Sequence, residues 1–537
     1  MDAHGIEEVP REEWIRSITE SNLPSELPQK IWRVPQMLRE QTSIKNYELE
    51  KFFEPRVVSI GPYHHGKPKL NLMEELKPNF ACQFVSIIKD AADSKNSKTQ
   101  ATGRKAGQDQ LCTLIVKLYD KILKEIKELR SCYADENSTS EYGDEDLARV
   151  LFLDGCFILQ FIENRQGKNS EQPQMMKSHY EAFVEQDLFL LENQLPFRVL
   201  QILAEEKQSH QSNPSKDDHL TMTVKFIYKI NMIAEPKSVE TNKWWKTQPP
   251  AHLLELLRKI LLNCNQPKPE PDGAAKIDKQ NTPTKPDGTA EVNKRNTAAN
   301  AAGDNHQRWN AITFFFKCIS EIEKRLTRIR RRSGKRETKS NRYSYRNVKE
   351  LSAVGIKMKC SKTSYLTDVS FDSPAFLFGH LRLPPITMDD STGPKFMNLM
   401  AYEMCPDVAD DEFGVTSYIC FLDSLIDHVD DVKELRKARV IDNGLRSDEE
   451  VAKLFNDIGT DLVPKSKTYK KVMEDIQKHC DSKVKSWIAL FINRHFSTPW
   501  TGLAALAAVF VLFLSSAQAH FQVFPRPGSF DPICEYN

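Results

Sequence analysis

Apolar positions along this chain fall mostly at helical spacing. Leu111, Leu114, Ile115, Leu118, Ile122, Ile126 and Leu129 recur at i, i+3 and i+4, which puts them on one face and predicts a helix over 111–132. Longer apolar runs predict helices over 146–163 and 179–203. Further periodic runs do so over 221–233, 251–262, 309–330, 417–436 and 447–458. Strand candidates are few: 57–60, 355–360, and 380–383 just before Pro384 and Pro385. A last amphipathic helix is expected over 469–493.

Beyond it the pattern changes. No charged residue occurs from Phe496 to Ala519, a run of 24 positions. As a helix it would measure about 36 Å, against a hydrocarbon core of ~30 Å. Eight Leu, Val and Phe residues lie between Leu503 and Leu514; they favour insertion by roughly 2 to 5 kcal/mol. The expectation is a transmembrane helix over 496–519, carried by Phe496, Trp500, Leu503, Phe510, Leu514 and Ala519. Lys478, Lys483, Lys485 and Arg494 precede the run and only Arg526 follows it, so the positive-inside rule puts the large domain in the cytosol. The start of the chain carries no basic-then-apolar leader, which agrees. The localisation expected is a single-pass protein of the plasma membrane or endomembranes, with membrane as one partner.

Composition shifts divide the rest. An N-terminal tail covers 1–26 and one large domain covers 27–495, followed by the span and a short tail over 520–537. Polar stretches at 91–110, 205–219 and 265–308 read as disordered loops inside the domain. The third contains a duplication. Pro271-Asp-Gly-Ala-Ala-Lys-Ile-Asp-Lys-Gln-Asn-Thr282 recurs as Pro286-Asp-Gly-Thr-Ala-Glu-Val-Asn-Lys-Arg-Asn-Thr297. A strongly basic segment, 324–346, follows. Its residues Arg328, Arg330, Arg331, Arg332, Lys335 and Arg336 are candidates for contact with anionic lipid. The fold class expected is therefore mainly α with a small β element, ending in one membrane helix.

Charge narrows the partners. The chain has 537 residues with 75 Lys plus Arg against 74 Asp plus Glu, which gives no global pull toward nucleic acid. Eleven cysteines, an odd number with no C-x-x-C pair, argue for reduced thiols in apolar cores.

Catalytic motifs are weak. Gly61-Pro-Tyr-His-His-Gly66-Lys67-Pro68 has the spacing of a phosphate-binding loop. Pro62 lacks the N–H that a phosphate needs, and Pro68 stands where a hydroxyl should reach magnesium. His64 and His65 are adjacent, a poor arrangement for two ligands on one metal. Asp423, Asp427, Asp430 and Asp431 are spaced as a solvated helix face more than as an acid–base pair. No catalytic, cofactor or metal residue is assigned.

Several blocks together carry a resemblance. They are Ile31-Trp-Arg-Val-Pro35, Glu54-Pro-Arg-Val-Val-Ser-Ile-Gly-Pro-Tyr-His-His-Gly66, Leu72-Met-Glu-Glu-Leu-Lys77 and Leu153-Asp-Gly-Cys-Phe-Ile-Leu159. Asp187-Leu-Phe-Leu-Leu-Glu-Asn-Gln-Leu-Pro-Phe197, Asn398-Leu-Met-Ala-Tyr-Glu403, Ser417-Tyr418, Asp430-Asp-Val432 and Pro499-Trp500 complete them. In this order they resemble the plant family known as domain of unknown function 247. The resemblance implies a mostly helical domain with one C-terminal span and no established catalytic residues. Some members of that family are associated with self-incompatibility in grasses, others with growth or stress responses. The expected function is non-enzymatic: protein–protein contact in signalling or recognition, with an unidentified protein partner. The alternatives are an enzyme, a hydrolase or transferase without a recognisable motif, and a passive membrane scaffold. Asp154, Asp187, Glu192 and Asn193 are expected to bond backbone groups rather than substrate.

Overall fold

The structure is a computed structural model. It describes residues 29–45, 51–95, 104–167, 176–210, 219–231, 243–263, 346–375, 378–408, 414–459 and 468–481, residue 462, and parts of 504–519. The chain divides into two compact units. The first comprises Met1–Pro267, Cys360–Asp368 and Pro384–Tyr469, and the second Lys268–Lys359, Val369–Leu383 and Lys470–Asn537.

The first unit is helical. Its elements begin with α1 (Gln36–Lys45), α2 (Asn71–Lys95), α3 (Arg104–Lys124), α4 (Ile126–Ser131) and α5 (Glu136–Ser140). They continue with α6 (Asp144–Arg165), α7 (Ser178–Asp187), α8 (Phe197–His210), α9 (His219–Ile230), α10 (Trp244–Thr247) and α11 (Leu253–Leu261). The centre is α6, which is buried almost all round from Leu147 to Glu163. A helix apolar on every side must be wrapped by others, and α2, α3, α8 and α9 do so. Phe157 of α6 meets Phe80 of α2 with ring centroids 4.9 Å apart. Gly155 lets α8 approach closely, since a Cβ there would stand 2.6 Å from Leu203.

The second unit contributes α12 (Val348–Ala353) and a three-stranded sheet of β1 (Ile356–Cys360), β2 (Ser370–Ala375) and β3 (Phe378–Leu383), in the order β1-β3-β2. Strands β2 and β3 are antiparallel, with Phe371 opposite Leu381. The first unit resumes with β4 (Ile386–Met388), α13 (Thr392–Glu403), α14 (Gly414–Leu425), α15 (Val429–Lys437), β5 (Ile441–Asn443) and α16 (Asp448–Gly459). Strands β4 and β5 pair in parallel across the intervening helices. In the second unit α17 (Lys470–Cys480) lies on the sheet, where His479 packs against Phe371 at 5.8 Å.

Some expected elements change. The single helix expected over 179–203 is two, α7 and α8, because Asn193 and Gln194 turn their carboxamides onto nearby carbonyls and Pro196 follows. The helix expected over 417–436 breaks at His428, where the Asp431 side chain accepts from the Asp427 and His428 N–H groups. Helix occupies both ends of the stretches 91–110 and 205–219, since α2 reaches Lys95, α3 begins at Arg104, α8 reaches His210 and α9 begins at His219.

The membrane expectation is corrected. Among the described residues no helix is long and apolar enough to cross a membrane. The transmembrane helix over 496–519 and the single-pass localisation are therefore not supported. Phe510 and Leu514 are exposed helical residues and Ala519 is a described helical position, while Phe496, Trp500 and Leu503 lie outside the described residues. So do the duplicated stretch within 265–308, the helix expected over 309–330, and Arg328, Arg330, Arg331, Arg332, Lys335 and Arg336.

Candidate functional site

The segment expected as a strand over 57–60 pairs with no neighbouring strand among the described residues. Side chains take the place of a ladder. Asp187, at the end of α7, accepts from Arg56 N at 2.9 Å, Val57 N at 2.7 Å and Val58 N at 3.0 Å. Asn193 accepts from Ile60 N at 2.7 Å and donates to the Val58 carbonyl at 3.1 Å. Asp154, inside α6, accepts from Gly61 N at 2.8 Å. Lys77 of α2 donates to the Ser59 carbonyl at 2.8 Å and pairs with Asp154 at 2.6 Å. Glu192 reaches the other way, accepting from Val34 N at 2.8 Å and pairing with Arg39 at 2.8 Å. All four expected residues thus bond backbone N–H groups, of Val34 and of the irregular segment 56–61. Sequence spacing gave no hint of Lys77 as the counter-charge of Asp154.

Burial sets the electrostatics of this brace. It pushes the Asp187 carboxyl up to about 6 against the pull of the three N–H groups. It also raises Asp154, with Lys77 opposing. Burial acts on Glu74 in the same sense, but bonds from His65, Lys77 and Ser59 outweigh it and hold Glu74 at about 2. His64 is buried, which drives its imidazole down to about 4. The adjacent histidines diverge: His64 lies 3.7 Å from Glu192 and His65 3.5 Å from Glu74. Gly61, at φ +71°, turns the chain where a Cβ would strike the Gln194 carbonyl at 2.5 Å. The loop with phosphate-binding spacing is therefore tied down from within. Of the acidic series, Asp431 caps α15, Asp430 lies 3.5 Å from Lys433, and burial beside Asp427 raises Asp423 to about 6.

On the outer side of the brace lies an open cleft of about 510 Å³, bordered by Lys51, Glu54, Arg56, Lys69, Gln186 and Asp390. Arg56 is fixed on three sides. Its backbone is held by Asp187, its guanidinium stacks on Phe183 at 4.3 Å, and it donates to Gln186 Oε1 at 3.3 Å. Glu54 is matched by Lys67 and Lys69, each at 3.1 Å. Lys51, Arg56 and Lys69 are exposed. The cleft offers a preset guanidinium and ammonium groups, the equipment to bind carboxylates.

The family profile DUF247, described as a plant protein of unknown function, matches residues 31–514, and the chain belongs to that family. It is similar to the UPF0481 protein At3g47200 of Arabidopsis thaliana, 25% identical over 87% of this chain and 82% of that protein. It is also similar to a second Arabidopsis UPF0481 protein, At3g02645, 24% identical over 88% of this chain and 87% of that one. No solved structure matches the chain.

Proposed function

We propose that this protein works by contact with another protein, in recognition or signalling, and that the cleft at Arg56 is the contact. One observation carries the reading: a division between buried and exposed polar groups. The carboxylates and carboxamides of the shared blocks face inward and hold backbone, while Lys51, Arg56 and Lys69 stand exposed around an open cleft. Arginine held by stacking and a carboxamide loses little entropy on binding, which suits an interface anchor. Its chemistry selects a partner that presents acidic side chains.

The test is proximity labelling in plant cells with the intact chain and with the Lys51→Glu/Arg56→Glu variant. Both side chains are exposed, but Arg56 also stacks on Phe183 and bonds Gln186, so circular dichroism and thermal unfolding of the variant are compared with the native chain first. Proteins labelled around the native chain should drop out with the variant. An unchanged set of labelled proteins would refute the cleft as the contact.

A further inference from the structure

The cleft at Arg56 has a second wall. One wall is the segment 51–56, and the other is the turn that carries Asp390. The two are fastened together. A Cβ at Gly393 would stand 3.0 Å from Phe52 Cε2, so the start of α13 lies directly on that ring. Further along α13, Asn398 donates to the Phe52 carbonyl at 2.8 Å. The turn itself is closed by Asp389, whose carboxylate accepts from Ser391 N at 2.9 Å, Ser391 Oγ at 2.6 Å and Thr392 Oγ1 at 2.9 Å. Thr392 N also donates to the Asp389 carbonyl at 3.0 Å. Asp390 therefore projects from a turn whose backbone is fixed, and it is exposed.

The charges that border the cleft fall into two groups. Glu54 is occupied by Lys67 and Lys69. Lys51, Arg56 and Asp390 are not occupied in this way. Among the described residues no ion pair engages any of the three, and none joins Asp390 to either cation. Opposite charges that border one cleft without meeting are each free for a charge brought from outside. A wholly acidic partner would satisfy Lys51 and Arg56 but would be repelled by Asp390. A partner that adds one cation turns that repulsion into an ion pair.

We propose that the cleft reads a mixed charge pattern on its partner protein: two acidic side chains for Lys51 and Arg56, and one Lys or Arg for Asp390. This rests on the reading of the cleft as the contact, and it adds Asp390 as the residue that sets specificity. Arg56 takes a carboxylate through the N–H groups that Gln186 does not use. An exposed ion pair at Asp390 contributes up to about fivefold in affinity. Asp390 also excludes: uniformly acidic segments, which the cations alone would accept, are turned away.

The experiment probes the intact chain with an array of short synthetic peptides. Each peptide carries two Glu residues and one Lys at varied spacing in a Gly/Ser background, and each has a twin with Ala in place of the Lys. The native chain should retain the best Lys peptides about threefold to fivefold better than their twins. With Asp390→Asn the advantage should vanish, and with Asp390→Lys it should reverse. Neither change removes a hydrogen bond or ion pair of the described residues. A native chain that retains the Ala twins as well as the Lys peptides overturns the mixed pattern, and so does an advantage that Asp390→Lys leaves in place. If binding is then still lost with Arg56→Glu, the cleft stands as the contact and only the mixed pattern fails. Binding indifferent to Arg56→Glu, or no binding to any peptide, overturns both.

Discussion

His252 shows how one side chain ties the fold to pH. It precedes α11, and its Nδ1 accepts from Glu255 N at 3.3 Å. Accepting there requires a neutral ring with its proton on Nε2. Burial drives the imidazole down to about 4, with Lys259 adding in the same sense and Glu255 opposing. Between that value and its ordinary one, the unfolded chain binds a proton that the folded chain does not. Stability therefore falls as pH drops through this window. A shift of about two units amounts to about 3 kcal/mol in full. His252→Asn keeps a capping acceptor and removes the titration. Urea unfolding of both chains at neutral pH and near pH 5 should show the native one losing more, by about 2 kcal/mol. An equal loss in both would show that His252 is not the group responsible.

At the scale of elements, the α6–α8 contact is closely constrained. A methyl at Gly155 would meet Leu203 at 2.6 Å and Val199 at 3.0 Å. Helix propensity favours Gly155→Ala by up to about 1 kcal/mol, and overpacking opposes it by about 1–3 kcal/mol. The expected result is a net loss near 1 kcal/mol in chemical denaturation. On a Leu203→Ala background only the Val199 contact remains, and the same change should cost measurably less. The same cost on both backgrounds would mean that packing against Leu203 is not what fixes this glycine.

Across the whole molecule, the first unit is assembled from distant parts of the chain. Lys30 N donates to Asp407 at 2.7 Å, and Asn398 accepts from Leu191 N at 2.8 Å while donating to the Phe52 carbonyl at 2.8 Å. Arg258 pairs with buried Glu403 at 2.9 Å, and Glu403 also accepts from Val415 N and Thr416 N. Separating these partners would leave charges and backbone groups unpaired in the interior, which is strongly unfavourable. A protease site inserted within 265–308 should therefore yield two fragments that co-elute under native conditions. Fragments that part on size exclusion would mean that 29–263 folds without 384–469.

The sequence alone determined what depends on local order. The family was legible because its blocks are contiguous, and the spans of α6, α9, α11 and α16 were legible because side-chain periodicity is a local property. Strands β1 and β3 were anticipated, whereas β2, β4 and β5 were not, since pairing joins segments that carry no mutual signature. The inward use of Asp154, Asp187, Glu192 and Asn193 could be anticipated from their apolar flanks. Which backbone groups they hold, and that Lys77 completes the set, depends on α2 and α6 lying side by side. The uncharged run at 496–519 shows the limit from the other side. Hydropathy reports what a segment could bury, yet among the described residues no helix is long and apolar enough to cross a membrane.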